Sequence, residues 1–349
     1  VVLQEQKSWP SLDVLVPVKD EAHNIADCIR TVLGQRYPNI RIIVVNDRST
    51  DDTAQAVQAM QNQHTNVDRY DVTDLPAGMY GKPHALHCVA DRLHGEFIAF
   101  VDSDLALRDD CLAALVQHLV KENLDWVAVM GEPQVSKFWE CLLVPQLGAI
   151  SFAWYDPRKI SDPKWPNAIG SALMVCRKSA YDAIGGHECV MRSYDEDSEI
   201  IRIAKRAGQR VSFLLTPELF RQRHYGTLER TIRGVTRTFI GGIKTVPRLL
   251  FTMFALNYIS IVPLAVLAGF GIPTPMGVRV PHANAWLVAG GAHLALSTLL
   301  ALMVYRTAGT SRLYALLHPL GAVMMIAICV RATMQLIRGT PITWRGTTY

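Results

Sequence analysis

The chain has 349 residues, half of them hydrophobic and 19% charged, with a formal net charge of +4. So much apolar side chain excludes disorder as the dominant state, and so little charge with a mean hydropathy of +0.14 argues against a uniformly soluble enzyme. The positive balance is too mild to point to nucleic acid, and seven cysteines without a C-x-x-C pair read as reduced thiols in a reducing compartment.

The N-terminal ten residues, VVLQEQKSWP, lack a basic region followed by an apolar stretch, so no cleavable signal peptide is expected, while an upstream membrane helix stays open. Residues 12–18 then form a short apolar strand. Residues 24–33 have helical spacing, with Ile25, Cys28, Ile29, Val32 and Leu33 on one face. Residues 41–45 (RIIVV) form a β-branched strand, and 50–60 form a helix with Asp51 and Asp52 in its first turn. A helix over 84–93, a strand over 96–101, a helix over 109–120 and a strand over 126–130 follow. This order implies an α/β fold with a doubly wound, mostly parallel sheet, whose ligands bind at the carboxyl ends of the strands.

Acidic residues stand at three such ends. Lys19-Asp20-Glu21 follows the first strand, Asn46-Asp47-Arg48-Ser49 the second and Asp102-Ser103-Asp104 the strand over 96–101. One carboxylate after a strand usually caps a helix. Three clusters at one sheet edge suit a divalent cation, Mg²⁺ or Mn²⁺, together with a polyhydroxylated ligand. Neither G-x-G-x-x-G nor G-x-x-x-x-G-K-[ST] occurs, so a Rossmann dinucleotide site and a P-loop are unsupported. His84 and His87 share a helix face but lack a third ligand, so an ordinary helix surface is the better reading.

The segments V-P-V-K-D-E-A-H-N-I (16–25), V-N-D-R-S-T-D-D-T (45–53), G-K-P-H-A-L (81–86), V-D-S-D (101–104) and Y-D-E-D (194–197) resemble, in order and spacing, the family 2 glycosyltransferases with a GT-A fold. Gly185-Gly186-His187-Glu188, the segment 138–154 and the ending W-R-G-T-T-Y look like the lipid-glycosylating membrane branch, which includes ceramide glucosyltransferase-like, hopanoid-associated and carotenoid glycosyltransferases. The resemblance implies a nucleotide-sugar site of Pro17, Glu21, Asp47, Lys82, Asp102, Ser103, Arg223 and His224. Within it Asp47 would lie near uracil, Lys82 near the nucleotide or its phosphates and Asp102 near the ribose or sugar. Asp104 would bind the metal and Asp197 would act as general base. Gly186, His187, Glu196 and Tyr225 would face the acceptor. Many relatives carry Q/R-x-x-R-W after the base. Here Arg221-Gln222-Arg223-His224-Tyr225 puts His and Tyr in the last two places, which weakens the case for the alternative activity, a processive polysaccharide synthase. Intact Asp102, Asp104 and Asp197 speak against a catalytically dead scaffold.

No Asp or Glu occurs from Leu249 onward, and three uncharged apolar runs lie at 249–272, 284–304 and 313–330. Each approaches the roughly 20 residues a membrane helix needs. The expected division is a catalytic domain over 1–220, a basic interfacial segment over 221–248 and a membrane domain over 249–349. Arg221, Arg223, Arg230, Arg233, Arg237, Lys244 and Arg248 precede the first run, whereas the loop 273–283 holds only Arg279, which places the catalytic domain in the cytosol of a cell-membrane protein. Three crossings would carry the tail outside, yet Arg331, Arg338 and Arg345 stand there. Either the third run is re-entrant or the tail snorkels. The segment 138–154 is apolar with one charge and suits the bilayer interface, with packing in the domain core as the alternative. A UDP-sugar donor, a membrane lipid acceptor and the bilayer itself are the expected partners, with no nucleic acid.

Overall fold

β1 (Leu12–Val18) is buried at every residue, the pattern of a strand covered on both faces. Leu12, Val14, Val16 and Val18 face one apolar layer and Leu15 the other, as a two-residue period requires. The computed structural model that shows this describes residues 8–223, 226–271, 282–340, 343–344 and 347–348. After β1 come β2 (Ile40–Asp47), β3 (Val67–Val72), β4 (Phe97–Val101), β5 (Leu105–Leu107), β6 (Trp126–Met130), β7 (Glu132–Gln134), β8 (Leu173–Arg177), β9 (Val211–Leu215) and β10 (Phe220–Arg223).

Seven of these make one sheet in the order β3-β2-β1-β4-β8-β6-β9. β8 runs antiparallel to both its neighbours and every other pair is parallel. The order reverses between β1 and β4, which is where such sheets open a ligand crevice. The β1–β4 ladder stops at Leu15–Phe100, while the β1–β2 ladder continues through Pro17–Val45 to Val18–Asn46. Pro17 therefore sits in a central strand at a place where β4 no longer pairs with it, which is how the sheet accommodates a residue without an N–H. A second sheet, β5-β10-β7, places Gln222 opposite Leu105, just past the Asp102-Ser103-Asp104 turn.

The predicted helices appear as Ile25–Leu33, Thr53–Gln61, Gly81–His87 and Cys111–Lys121. The third begins three residues before its expected start and stops at His87, with a separate 3₁₀ turn over Ala90–Arg92. Helices Ile25–Leu33 and Cys111–Lys121 cover one sheet face. Helix Glu196–Arg206 and the Gly81–His87 helix cover the other. Each fully buried aliphatic side chain in these layers stabilises the fold by about 1.5–3 kcal/mol.

Two units emerge. The first comprises Val1–Gln134, Tyr155–Arg223 and Ile342–Tyr349, the second Val135–Trp154 and His224–Pro341. The division drawn from the sequence differs in two places. Helix Phe138–Trp154 groups with the membrane helices rather than with the core of the first unit, where Leu143 meets Val235, Phe239, Leu249 and Met325. The tail, in turn, returns to the first unit. The second unit also holds helix Leu228–Thr238, capped by the Thr227 side chain, and, among the described residues, three helices long and apolar enough to cross a membrane. These are Val246–Phe270, Ala283–Thr307 and Arg312–Arg338. The first contains a π turn over Asn257–Ile261, and the third opens with a 3₁₀ turn over Arg312–Leu317.

Candidate active site

The loops after β1 and β2 are locked together. The Lys19 ammonium donates to the carbonyls of Asp47 and Arg48 at 3.2 and 2.9 Å. The Asp20 N–H donates to the Ser49 hydroxyl, and Asp20 accepts from the Thr50 N–H at 2.7 Å. Asp51 and Thr53 bond back to Ala22 and Glu21 in the same way. Asp20 and Arg48 both hold a left-handed backbone, φ 50° and 52°, a conformation non-glycine residues adopt rarely and mostly at sites that demand it. Arg48 pairs with Asp47 at 2.7 Å, and Asp47 itself is 4% exposed. A cleft of about 560 Å³ opens beside them, lined by Arg48, Asp74, Met79, Tyr80 and, from the tail, Thr347.

Lys82 stands at the centre of the site. Its ammonium lies 2.8 Å from Asp102, 3.0 Å from Glu196 and 3.1 Å from Asp197, and so joins residues from three separate elements. Gly81–His87 carries the lysine, the turn after β4 carries Asp102, and the first turn of Glu196–Arg206 carries the other two. Loss of water pushes the Asp197 carboxyl well above the usual carboxylate range, the Glu196 charge adds to this, and the Lys82 ammonium opposes both. Loss of water works to lower the lysine as well, but the charges of Asp102, Asp197 and Glu196 override it and hold it well above the ordinary value.

Asp104, two residues from Asp102, accepts from the Gln222 amide at 3.4 Å, while its carbonyl accepts from the Arg223 N–H. Arg223 forks onto Asn24 at 2.8 Å and Asp27 at 2.9 Å, and this hydrogen bond holds Asp27 below the usual carboxylate range. Asn24 also donates to the buried Glu21 at 2.6 Å. Among the described residues no cluster of three His, Cys, Asp or Glu is arranged to hold a metal, so His84 and His87 form no such site. The donor set at the turn nonetheless fits a hard cation. Mg²⁺ and Mn²⁺ take one or two carboxylates and complete their shells with water and substrate phosphate, and Asp104 is restrained by a neutral donor that a cation can displace.

The remaining expected residues divide. Gly185 and Gly186 make the expected tight turn, φ 81° and 57°. His187, however, is 1% exposed, sits against Phe100 and bonds Tyr181 through ring and backbone. Burial drives its pKa down to about 3, so it is a neutral side chain of the core. Ser103 is buried within the Asp102-Ser103-Asp104 turn. His224 and Tyr225 lie outside the described residues.

Gly170 is the residue that sequence reasoning missed. Because β8 is antiparallel, its N-terminal end reaches the sheet edge that carries Asp102, where the Ala172 carbonyl accepts from the Asp102 N–H. There the Gly170 N–H donates to the Ser198 hydroxyl, and a Cβ on Gly170 would collide with the Asp197 backbone and Cβ.

A parallel sheet reversing at β1/β4, with a D-x-D turn and a carboxylate-bearing helix at that edge, is the architecture of a GT-A type transferase. The mannosyltransferase PcManGT from Pyrobaculum calidifontis, solved with GDP-Man and Mn²⁺, shares the fold at a TM-score of 0.55 and 20% identity, over 93% of this chain and 88% of that one. Residues 13–183 match glycosyl transferase family 2, so the chain carries a family 2 glycosyltransferase domain. A 4,4'-diaponeurosporenoate glycosyltransferase of Staphylococcus aureus (strain bovine RF122 / ET3-1) is 23% identical over 97% of this chain and 88% of its own length. The counterpart from strain USA300 is 28% identical over a shorter match, 52% of this chain and 48% of that protein.

Gly170→Ala should reduce glycosyl transfer about 100-fold by displacing Asp197, since misplacing a reacting group by about 1 Å costs on that order. Rates in membranes check this, measured at a temperature below the variant's unfolding, since overpacking of this kind also costs about 1–3 kcal/mol of stability. Wild-type turnover in the variant would remove the packing argument.

Proposed function

We propose that the chain moves a single sugar, glucose from UDP-glucose, onto a hydroxyl of a membrane lipid of ceramide-, hopanoid- or carotenoid-like type, with inversion at the anomeric carbon. The observation that carries this reading is the Lys82 cluster, in which Asp197, beside Glu196, shares a cation with Asp102. Three long apolar helices on the same chain and relatives named for a carotenoid acid support the lipid acceptor. The basic residues ahead of the first long helix support a cytosolic catalytic unit in the cell membrane.

The chemistry follows from the side chains. Asp197 accepts the proton of the acceptor hydroxyl, whose oxygen forms a bond to the anomeric carbon as the bond to the diphosphate breaks. The electron pair leaves with the nucleotide diphosphate. A single displacement converts an α-linked donor into a β-linked product. Asp47 and the cleft beside Arg48 and Tyr80 receive the nucleoside, and a cleft of that size suits a ligand of this class. Asp102 orients ribose or sugar through its carboxylate. A Mg²⁺ or Mn²⁺ ion held by Asp104 would supply neutralisation of the diphosphate charge. Lys82 offers a second cation to the same group, and the exchange of its carboxylate partners for phosphate leaves Asp197 able to take a proton.

Membranes holding the chain, given UDP-[³H]glucose, should produce label soluble in organic solvent. Label confined to precipitable polymer would overturn the lipid reading in favour of a processive synthase. In the same assay Asp197→Asn should lower kcat about 10³-fold with little change in donor KM, as loss of a general base does. Undiminished turnover removes Asp197 from that role.

The rate should rise with pH through the raised Asp197 value, because only the deprotonated carboxylate accepts a proton. In the free enzyme Lys82→Met removes a cation opposing that rise, so the rising limb of kcat/KM should move to higher pH. A limb that stays put or moves to lower pH contradicts the cluster.

A further inference from the structure

The chain leaves its first unit after Arg223 and re-enters it at Ile342. The long helix Arg312–Arg338 ends four residues before that return, at Gly339 to Ile342. The five Cα steps from Arg338 to Thr343 span at most roughly 18 Å. A bilayer core is about 30 Å thick, so this stretch of chain is too short to cross it.

Packing within the second unit identifies the helix that fails to cross. The His318 ring, where the third helix begins, bonds the Ser260 hydroxyl at 3.0 Å and approaches Thr298 at 3.4 Å. Ser260 lies midway along Val246–Phe270. From there the third helix runs back toward the start of the first, where Ile328, Cys329 and Ala332 join Leu249, Val235 and Phe239. Val235 belongs to Leu228–Thr238, whose outer face shows Arg230 and Arg233 and so lies at the water boundary. The third helix therefore starts at mid-depth and rises to the surface near which the first began. In its 3₁₀ entry Ala315 is buried, while Leu313, Leu316 and Leu317 stand exposed, as apolar side chains facing lipid would. Gln146 donates to the His318 carbonyl at 3.0 Å and pairs with the Tyr305 hydroxyl, the kind of internal partner that irregular backbone needs at this depth. Charge agrees. Arg306 stands in the last turn of the second helix, Arg312 opens the third, and Arg331 and Arg338 lie toward its end, which puts both of its ends on the basic side.

The returning tail has a place in the first unit. Thr343–Trp344 pairs with Thr347–Thr348, and Thr347 lines the 560 Å³ cleft with Arg48, Asp74, Met79 and Tyr80. We propose that, among the described helices, Val246–Phe270 and Ala283–Thr307 cross the bilayer, that Arg312–Arg338 is re-entrant, and that the tail it carries back forms one wall of the donor cleft. The last clause rests on the donor reading given above, whereas the topology stands without it.

Two measurements test this. The full-length protein carries one epitope in the exposed turn 62–66 and another after Tyr349, and sealed vesicles of each orientation are treated with protease. Both epitopes should be cleaved in the same preparation, and cleavage in opposite preparations overturns the topology. Separately, binding of UDP is measured on the intact chain and on a chain lacking residues 343–349, with an expected loss of at least tenfold. Thr347→Trp, which fills the cleft without removing chain, should weaken UDP to a similar extent and decides the matter where the truncated chain fails to accumulate. Unchanged UDP affinity in Thr347→Trp overturns the wall. An intact chain that binds neither UDP nor GDP overturns the donor reading and the wall with it, and leaves the vesicle result to judge the topology alone.

Discussion

One ammonium group holds three carboxylates in a single place, and the arrangement of the site follows from that. At an effective dielectric near 20, two like charges 4 Å apart repel by about 4 kcal/mol, so Asp102, Glu196 and Asp197 need a shared cation to converge. Lysine suits this better than arginine. Its ammonium is a compact point charge with three donors that can address three partners, whereas a guanidinium is a flat fork made for one carboxylate at a time. The same group fixes the Gly81–His87 helix, the turn after β4 and the start of Glu196–Arg206 relative to one another. A cation held in this way is in position before any anionic ligand arrives, which is the meaning of electrostatic preorganisation.

The parts of the fold legible in the sequence are those where local pattern and tertiary setting agree. β1, β2 and β4 are covered on both faces, so they read as unbroken apolar runs, and the acidic residues at their ends stand out. The Lys82 helix was offset because Gly81 and Pro83 carry no periodic signal at its start. Strand direction has no local signature at all. Nothing in Leu-Met-Val-Cys-Arg announces that β8 runs against its neighbours, and only that reversal brings Gly170 against Asp197. His187 shows a related limit. The Gly-Gly turn was legible from composition, but which way the following ring points depends on the space left by Tyr181 and Phe100.

Hydropathy measures length and composition and carries no measure of depth. All three long helices satisfy the length criterion, yet their internal packing differs. In Arg312–Arg338, 39% of the most apolar window is buried, against 22% and 17% in the other two, and this extra contact lies along one stripe from His318 to Thr333. A helix that lies beside Val246–Phe270 for half its length and then meets the basic Leu228–Thr238 helix has an apolar outer face for lipid and an inner face for protein. The arginines after the third run, which contradict a third crossing in a charge count, need no snorkelling once both ends of that helix belong to one side.

Chain connectivity adds a constraint on the reaction itself. The two units are joined at four points, 134/135, 154/155, 223/224 and 341/342. Each covalent link between two units lowers the conformational entropy open to them, and four lower it more than one. A transferase with a water-soluble donor and a bilayer-confined acceptor gains from such restriction, because much of the barrier to joining two substrates is the entropy of orienting them. The interruptions of the first unit by Val135–Trp154, and of the second unit's return by the tail, thus belong to one economy of chain path. The backbone leaves the first unit and comes back to it twice.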